Sequence, residues 1–327
     1  MTQSIAGIDV SKLTLDVVLM QGEQMQHRVI QNNPKGFREL TDWMSEAHPA
    51  QIHACMEATG RYGLAAAEYL YSCGYQVSVV NPACIKAYAT SKLRRSKTDK
   101  ADAKLIAEFC EKEKPALWRP LPAHFQALKD LIYHLEDLQS TKQQEHNRME
   151  FQAAHRLVNE NRHAHITLLE EQIRKVRKAI HIHILAYPDL MHLVHLLVSI
   201  PGIGEITAVW ILVEIRDFRE FSNARQLAAY AGLNPRINTS GTSVHKKTRL
   251  SKTGNAHLRK ALFMPAVVAK THNPILQTFC ARLSKRGLCK MEIIGAAMRK
   301  LLHLAYGVLK NDLPFDPNYL AKQMINP

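Results

Sequence analysis

No apolar run in the 327 residues reaches the roughly 18 that a membrane-spanning helix needs. The longest candidate, Leu196–Ile215, is interrupted by Pro201, Gly202, Gly204 and Glu205. The N-terminus has no basic segment ahead of a long apolar one, so no secretory leader is expected. Cysteine is sparse: Cys55, Cys73, Cys84, Cys110, Cys280 and Cys289, with no Cys-x-x-Cys pair. That excludes a disulfide scaffold, and the expectation is free buried thiols in a reducing cytoplasm. Glycine and proline number 14 each, too few for a collagen-like or low-complexity chain. The 17 histidines include His181, His183, His192 and His195, none with the paired ligand set of a zinc site, so they read as structural or surface groups.

Another absence is local. Between Phe221 and Met291 there is no Asp or Glu, while 13 Lys and Arg fall there, nearly the whole formal net charge of +14. A solvated face ordinarily mixes signs, because like charges repel. A polyanion relieves that repulsion and releases counterions, so nucleic acid is the expected partner. A membrane surface fits less well, since no basic amphipathic terminal helix stands apart from the fold.

What is present divides the chain in three. Hydrophobic residues make up 46%, enough for a sizeable core. Over 1–117, apolar β-branched runs at Ile5–Val10, Leu13–Met20, His27–Gln31, Ile52–Met56 and Tyr75–Val80 predict strands. Asn33–Ala47, Gly63–Tyr71, Cys84–Ala89 and Asp99–Glu111 predict helices. The result is α/β, a mixed sheet flanked by helices. Over 118–188, leucines and isoleucines at spacings of three and four predict two long helices separated by the polar stretch Asn159–His165, as an antiparallel hairpin or a coiled coil. Over 189–327 helices dominate. Leu193–Ser199 and Glu205–Ile215 flank Pro201-Gly202-Ile203-Gly204 in a helix–hairpin–helix pattern. Ser222 predicts an N-cap for a helix ending near Gly232, Asn234–Gly254 a loop or short hairpin, and Asn255–Thr271 and Glu292–Leu309 two more helices.

Acids fall at matching element ends. Asp9 closes the first strand and Glu57 the strand at Ile52–Met56, while Asp99 and Asp102 stand i, i+3 on one helix face. Unpaired, such a cluster is unfavourable. Hard divalent cations remove the penalty, and two of them can clamp a phosphodiester. Singly, each acid has a plainer reading: Asp99 after Thr98 suits a helix dipole, and a strand-end acid suits a turn. Lys86, Lys92, Arg94, Arg95, Lys97, Lys100 and Lys104 surround the aspartate pair, either to bind phosphates or to neutralise the acids.

Two further segments could meet nucleic acid. Gly202 and Gly204 allow a tight turn just before a helix whose free N–H groups can grip a phosphate, although an ordinary bundle corner reads the same way. In the acid-free stretch, Thr239-Ser240-Gly241-Thr242-Ser243 is flanked by Arg236, His245, Lys246, Lys247, Arg249 and Lys252. By composition these hydroxyls read first as phosphate hydrogen-bonders and only second as a nucleophile.

The segments GIDVSK, CMEATG, SVVNP, KTDKADAKLIAEF, SIPGIGEITA, AAYAGLNPR, TSGTSV, RLSKTGN and LRKALFMPA occur in this order. Together they resemble the DEDD-type insertion-sequence transposases, the "one-ten" family of recombinases with its Piv-type DNA invertases, over nearly the whole chain. The resemblance implies an RNase H-like (RuvC-like) N-terminal domain in which Asp9, Glu57, Asp99 and Asp102 hold Mg²⁺ or Mn²⁺. It implies a coiled-coil middle that joins protomers into a dimer or tetramer. It implies a mainly helical C-terminal transposase domain with Ser240 as nucleophile and Ser243 as second candidate. Donor and target DNA are then the substrates, with a bridge RNA as guide in the one-ten branch. Two other readings stay open on the residues: a hydrolytic junction-resolvase-like nuclease, indifferent to Ser240, and a non-catalytic nucleic-acid-binding protein.

Overall fold

The computed structural model of the chain describes residues 4–47, 52–58, 60, 62–92, 98–151, 153–240 and 244–318, with backbone alone at 47, 237–240 and 244–248. The chain divides into two compact units, Met1–Pro120 and Leu121–Pro327.

The first unit is built on a five-stranded sheet. β1 (Ser4–Val10), β2 (Thr14–Gln21) and β3 (Gln24–Gln31) form an antiparallel meander. α1 (Pro34–Ala47) leads to β4 (Ile52–Glu57), α2 (Leu64–Ser72) to β5 (Gln76–Val80), and α3 (Pro82–Ser91) and α4 (Asp99–Glu113) follow. The strand order is β3-β2-β1-β4-β5, with β1, β4 and β5 parallel. Central strands covered on both faces read as continuous apolar runs. Accordingly Ala6 and Ile8 join the core beneath α1 and α2, while Ile5 joins the one beneath α3 and α4. α4 lies so close to β1 that a Cβ on Gly7 would stand 2.2 Å from the Ala103 carbonyl oxygen and 2.5 Å from the Ala107 nitrogen. Only glycine permits that approach.

In the second unit, α5 (Ala123–Met149) and α6 (Arg156–Ala186) are joined by a short turn. Lys142 meets Glu170 at 2.6 Å, Glu145 meets His165 at 3.5 Å, and His183 Nε2 lies 2.8 Å from the His124 carbonyl. The partners run in opposite directions, so the helices are antiparallel. The expected break at Asn159–His165 is corrected: that stretch lies inside α6. The Asn159 side chain both donates to the Ala153 carbonyl and accepts from its N–H, tying the turn to the helix. None of these residues is buried, so this part of α6 is polar all round rather than a loop.

α7 (Pro188–Val198) and α8 (Glu205–Ile215) follow, then a 3₁₀ turn at Phe218–Glu220 and α9 (Ala224–Tyr230). α8 is buried on every side from Ala208 to Ile215 and forms the centre of this unit. A two-stranded hairpin, β6 (Pro235–Ser240) and β7 (Val244–Leu250), precedes α10 (Ala256–His272), α11 (Pro274–Lys285) and α12 (Lys290–Asn311). The core runs from Phe125 and Leu135 through α8 to Leu309, so the base of the α5/α6 hairpin shares it. The cap of α9 is Asn223, whose side chain accepts from the Arg225 and Gln226 N–H groups, and not Ser222, which bonds the Gln226 side chain. α11 was not foreseen, although Pro274 opens it and the Asn273 side chain caps it by accepting from the Ile275 and Leu276 N–H groups. Cys55, Cys110 and Cys280 are buried, but Cys73, Cys84 and Cys289 are exposed, against the expectation for them; all six are free thiols. Among the described residues no helix is long and apolar enough to cross a membrane.

Candidate metal centre and nucleic-acid interface

Strand parity and one glycine place the acids of the first unit. Along β1, Ile5, Gly7 and Asp9 point to the α4 face, since alternate residues share a face. In the parallel register Gly7 stands beside Cys55, so Glu57, two residues on, shares that face and ends its strand beside Asp9. The N–H of Ala58 donates to the Val80 carbonyl at 2.9 Å, holding the strand straight through Glu57. α4 crosses the same face with Ala103 and Ala107 over Gly7. Its first turn, carrying Asp99 and Asp102, therefore extends toward Asp9. Thr98 caps it, its hydroxyl accepting from the Ala101 N–H at 3.2 Å, and the helix dipole favours acids there. The carboxyl ends of parallel strands are where open α/β sheets bind ligands.

The electrostatics record the convergence. Asp9 is half-buried, and its carboxyl is pushed up to about 6 from an ordinary 3.8, first by burial, then by the charges of Asp102, Asp99, Glu57 and Asp16. All three partners expected from the sequence thus act on Asp9. Among the described residues, however, no three His, Cys, Asp or Glu side chains form a ready metal cage. The two findings are compatible, because Coulomb repulsion reaches farther than coordination distance. These four acids would offer only oxygen donors, which suits a hard divalent cation.

Asp16 was missed. The β1/β2 register pairs Asp9 with Asp16, so the two side chains lie on one face, about 5 Å apart at Cβ. The signal was available: a hairpin turning at Ser11–Leu13 sets residue 9 across from residue 16. His27 of β3 reaches Asp16, Nε2 to Oδ1 at 2.9 Å.

The basic residues divide by place. Lys92 is exposed at the end of α3, its Nζ 5.5 Å from the Tyr88 ring centre. Arg94, Arg95 and Lys97 lie outside the described residues. In the second unit, Arg236 and Arg249 are exposed and directly opposite each other on β6 and β7. Like charges across an antiparallel pair are destabilising unless something negative sits on them. Ser240 is the last residue of β6, paired with Val244, and Lys246 pairs with Asn238. The side chains of Ser240, Lys246 and Lys247 lie outside the described residues, as does Ser243.

The hairpin's base is firmly held. Buried Glu214 accepts from the Tyr133 hydroxyl at 2.6 Å and from the Asn255 amide, and the Tyr230 hydroxyl donates to its carbonyl at 3.0 Å. Arg259 donates to the carbonyls of Ala231, Gly254 and Asn255 at 3.0, 3.2 and 3.2 Å. Lys252, exposed, donates its N–H to the Gly232 carbonyl at 3.1 Å.

Gly202 proves to have a packing reason: at φ +105°, its missing Cβ would stand 2.6 Å from the Ala269 Cβ of α10. Gly204 caps α8 with open space around it, and the first helical residue, Glu205, bonds His181 at 2.7 Å. An acid already occupies the turn where a phosphate would be gripped.

A family model described as a transposase of the DEDD IS110 type matches residues 6–152, and one described as "Transposase IS116/IS110/IS902 family" matches residues 194–281. The chain is 38% identical to the pilin gene-inverting protein of Moraxella bovis over 97% of its own length and 98% of that protein's. It is 37% identical to the pilin gene-inverting protein of Moraxella lacunata over the same shares. Among solved structures, the T. thermophilus RuvC complex with a Holliday junction substrate is 14% identical. It covers 35% of this chain and 98% of its own, at a TM-score of 0.28, a likeness too loose to build on.

Proposed function

The chain belongs to the IS110-type transposase family, and from that premise we propose that it cuts and rejoins DNA using Asp9, Glu57, Asp99, Asp102 and the hydroxyl of Ser240. The observation that carries this reading is the state of Asp9. It stands next to last in the central strand, beside the Glu57 end of β4 and on the face that α4 crosses, and burial and the three acids of the family pattern push its carboxyl up to about 6. The sheet order β3-β2-β1-β4-β5 with an antiparallel second strand supports an RNase H-like first unit.

Asp9, Glu57, Asp99 and Asp102 would hold the divalent cation, with Mg²⁺ the expected ion and Mn²⁺ its substitute. Bound there, the ion supplies Lewis-acid polarisation of a phosphate oxygen. The protein's own groups do the rest. Arg236, Lys246, Lys247, Arg249 and Lys252 hold the strand by its phosphates. The Ser240 oxygen forms a bond to phosphorus, the bond from phosphorus to the 3′ oxygen breaks, and that oxygen takes up the serine's proton. The 3′-hydroxyl of a second strand then attacks the phosphoserine, restoring the serine hydroxyl and a phosphodiester. Bond energy is conserved, so no nucleotide cofactor is needed.

The full-length likeness to gene-inverting proteins supports inversion of a DNA segment as one outcome, and the family description supports movement of an insertion sequence. Both use the same strand exchange. The α5/α6 hairpin is proposed to join protomers into a dimer or tetramer, and an RNA from the element's non-coding flank to guide the choice of site. The test is a denaturing gel with element-end DNA, flank RNA and Mg²⁺. Wild-type protein gives a covalent protein–DNA adduct, and Ser240→Ala gives none. Adducts in that variant would overturn the serine assignment. Cleavage by the wild type without any adduct would favour a hydrolytic nuclease. Adducts of equal yield without RNA would remove the guide.

A further inference from the structure

One acid on the α4 face of the sheet has no task in the family pattern: Asp16. It faces Asp9 across the β1/β2 ladder, the pairing that like charges ordinarily avoid. Its side chain is only 14% exposed, so water screens the repulsion poorly. His27 holds its carboxylate, Nε2 to Oδ1 at 2.9 Å. Asp16 and His27 lie on the α4 face by parity, so the sheet presents Glu57, Asp9, Asp16 and His27 as a row across four strands. A carboxylate held beside Asp9 at such expense has a role when a cation occupies that end of the sheet.

We infer that Asp16, held by His27, is a positioning residue for the candidate metal centre, acting through Asp9 to strengthen its hold on a divalent cation. The inference rests on the metal-site reading and goes beyond its four acids. In the metal-free protein the charge on Asp16 is a burden, and in the loaded protein it is an attraction. An Asp16–His27 pair that only braced the sheet would stabilise both states alike.

The experiment uses the full chain with Mn²⁺ alone as probe, its affinity read by electron paramagnetic resonance of the free ion, together with melting curves in chelator. Asp16→Asn keeps an oxygen for His27 and removes only the charge. It should bind Mn²⁺ on the order of tenfold more weakly, the effect of one charge on a dication at this range. In chelator it should melt no lower than wild type. Asp16→Glu should recover most of the affinity. If Asp16→Asn fails to fold, Asp16→Ser is read in its place. Unchanged Mn²⁺ affinity with a lower melting temperature in chelator would overturn the inference and leave a bracing pair. Asp9→Asn separates the two levels. If it loses Mn²⁺ while Asp16→Asn does not, only the role of Asp16 falls. If Asp9→Asn binds as wild type, the metal-site reading itself fails.

Discussion

Like charges crowd together at two places, the acid end of the first sheet and the basic hairpin of the second unit, and the two are held in unlike ways. Asp9, next to last in β1, and Glu57, last in β4, follow buried residues, and the helix bearing Asp99 and Asp102 is seated on Gly7. The frame is rigid, and burial intensifies the repulsion. Arg236 and Arg249, both exposed, face each other across the two strands, and the base of that hairpin is anchored through Glu214, Asn255 and Arg259. A lone two-stranded ribbon is marginal in water. A small ion calls for fixed oxygens at fixed range. A phosphate backbone calls for charge that can follow its shape.

That contrast can be broken most sharply at Asp9. Asp9→Asn should lower DNA strand cleavage by about a thousandfold or more, the scale of removing a metal ligand, while DNA binding stays within about twofold. An equal loss of binding in a filter assay would mean that the two regions are not separable. Next in size is the frame. Gly7→Leu forces a side chain into the backbone of α4 and should destabilise by about 3 kcal/mol in urea unfolding, carrying activity with it. Gly204→Ala, with open space around it, should change stability by less than about 0.5 kcal/mol.

The hairpin predicts a different signature. Replacing Arg236 and Arg249 together by Ser should flatten the slope of log affinity against log salt by about 2, one per phosphate contact, and leave unfolding unchanged or slightly improved. A lower melting temperature would show that the arginines hold the hairpin rather than the nucleic acid. Smaller than the effect of Gly7→Leu is the pH dependence of the metal-free protein. The folded carboxyl of Asp9 titrates near 6 against 3.8 when unfolded, so the folded state binds the extra proton between those values. Stability should therefore fall as pH rises from about 4 to about 6 and remain lowered above that. Asp9→Asn should remove that fall. Allowing for solvent screening of a half-exposed group, the difference at pH 7 is about 1 kcal/mol.

Much of this was legible before the structure. The five strands follow from β-branched runs, and the acids from their positions at element ends. The long helices follow from spacing, although the polar stretch at Asn159–His165 misplaced their break. That error has a simple cause: a helix segment with no buried side carries a continuous polar run, and local composition cannot tell it from a turn. Asp16 was passed over because it sits inside an apolar strand, where an acid attracts attention only once its cross-strand partner is known. Gly202, read as a phosphate-binding turn, owes its place to Ala269, 67 positions further along the chain and invisible to any local pattern.

Residue order alone determined the charge asymmetry, since a stretch of 71 residues without an acid is basic in any fold. It also determined strand parity, because side chains alternate whatever the sheet packs against. Only the tertiary structure decided that Asp99 and Asp102 come to the side of Asp9 rather than some other edge. That depends on α4 lying against β1 where Gly7 has no side chain, a contact between segments about 100 positions apart that steric fit selects and local preference cannot encode.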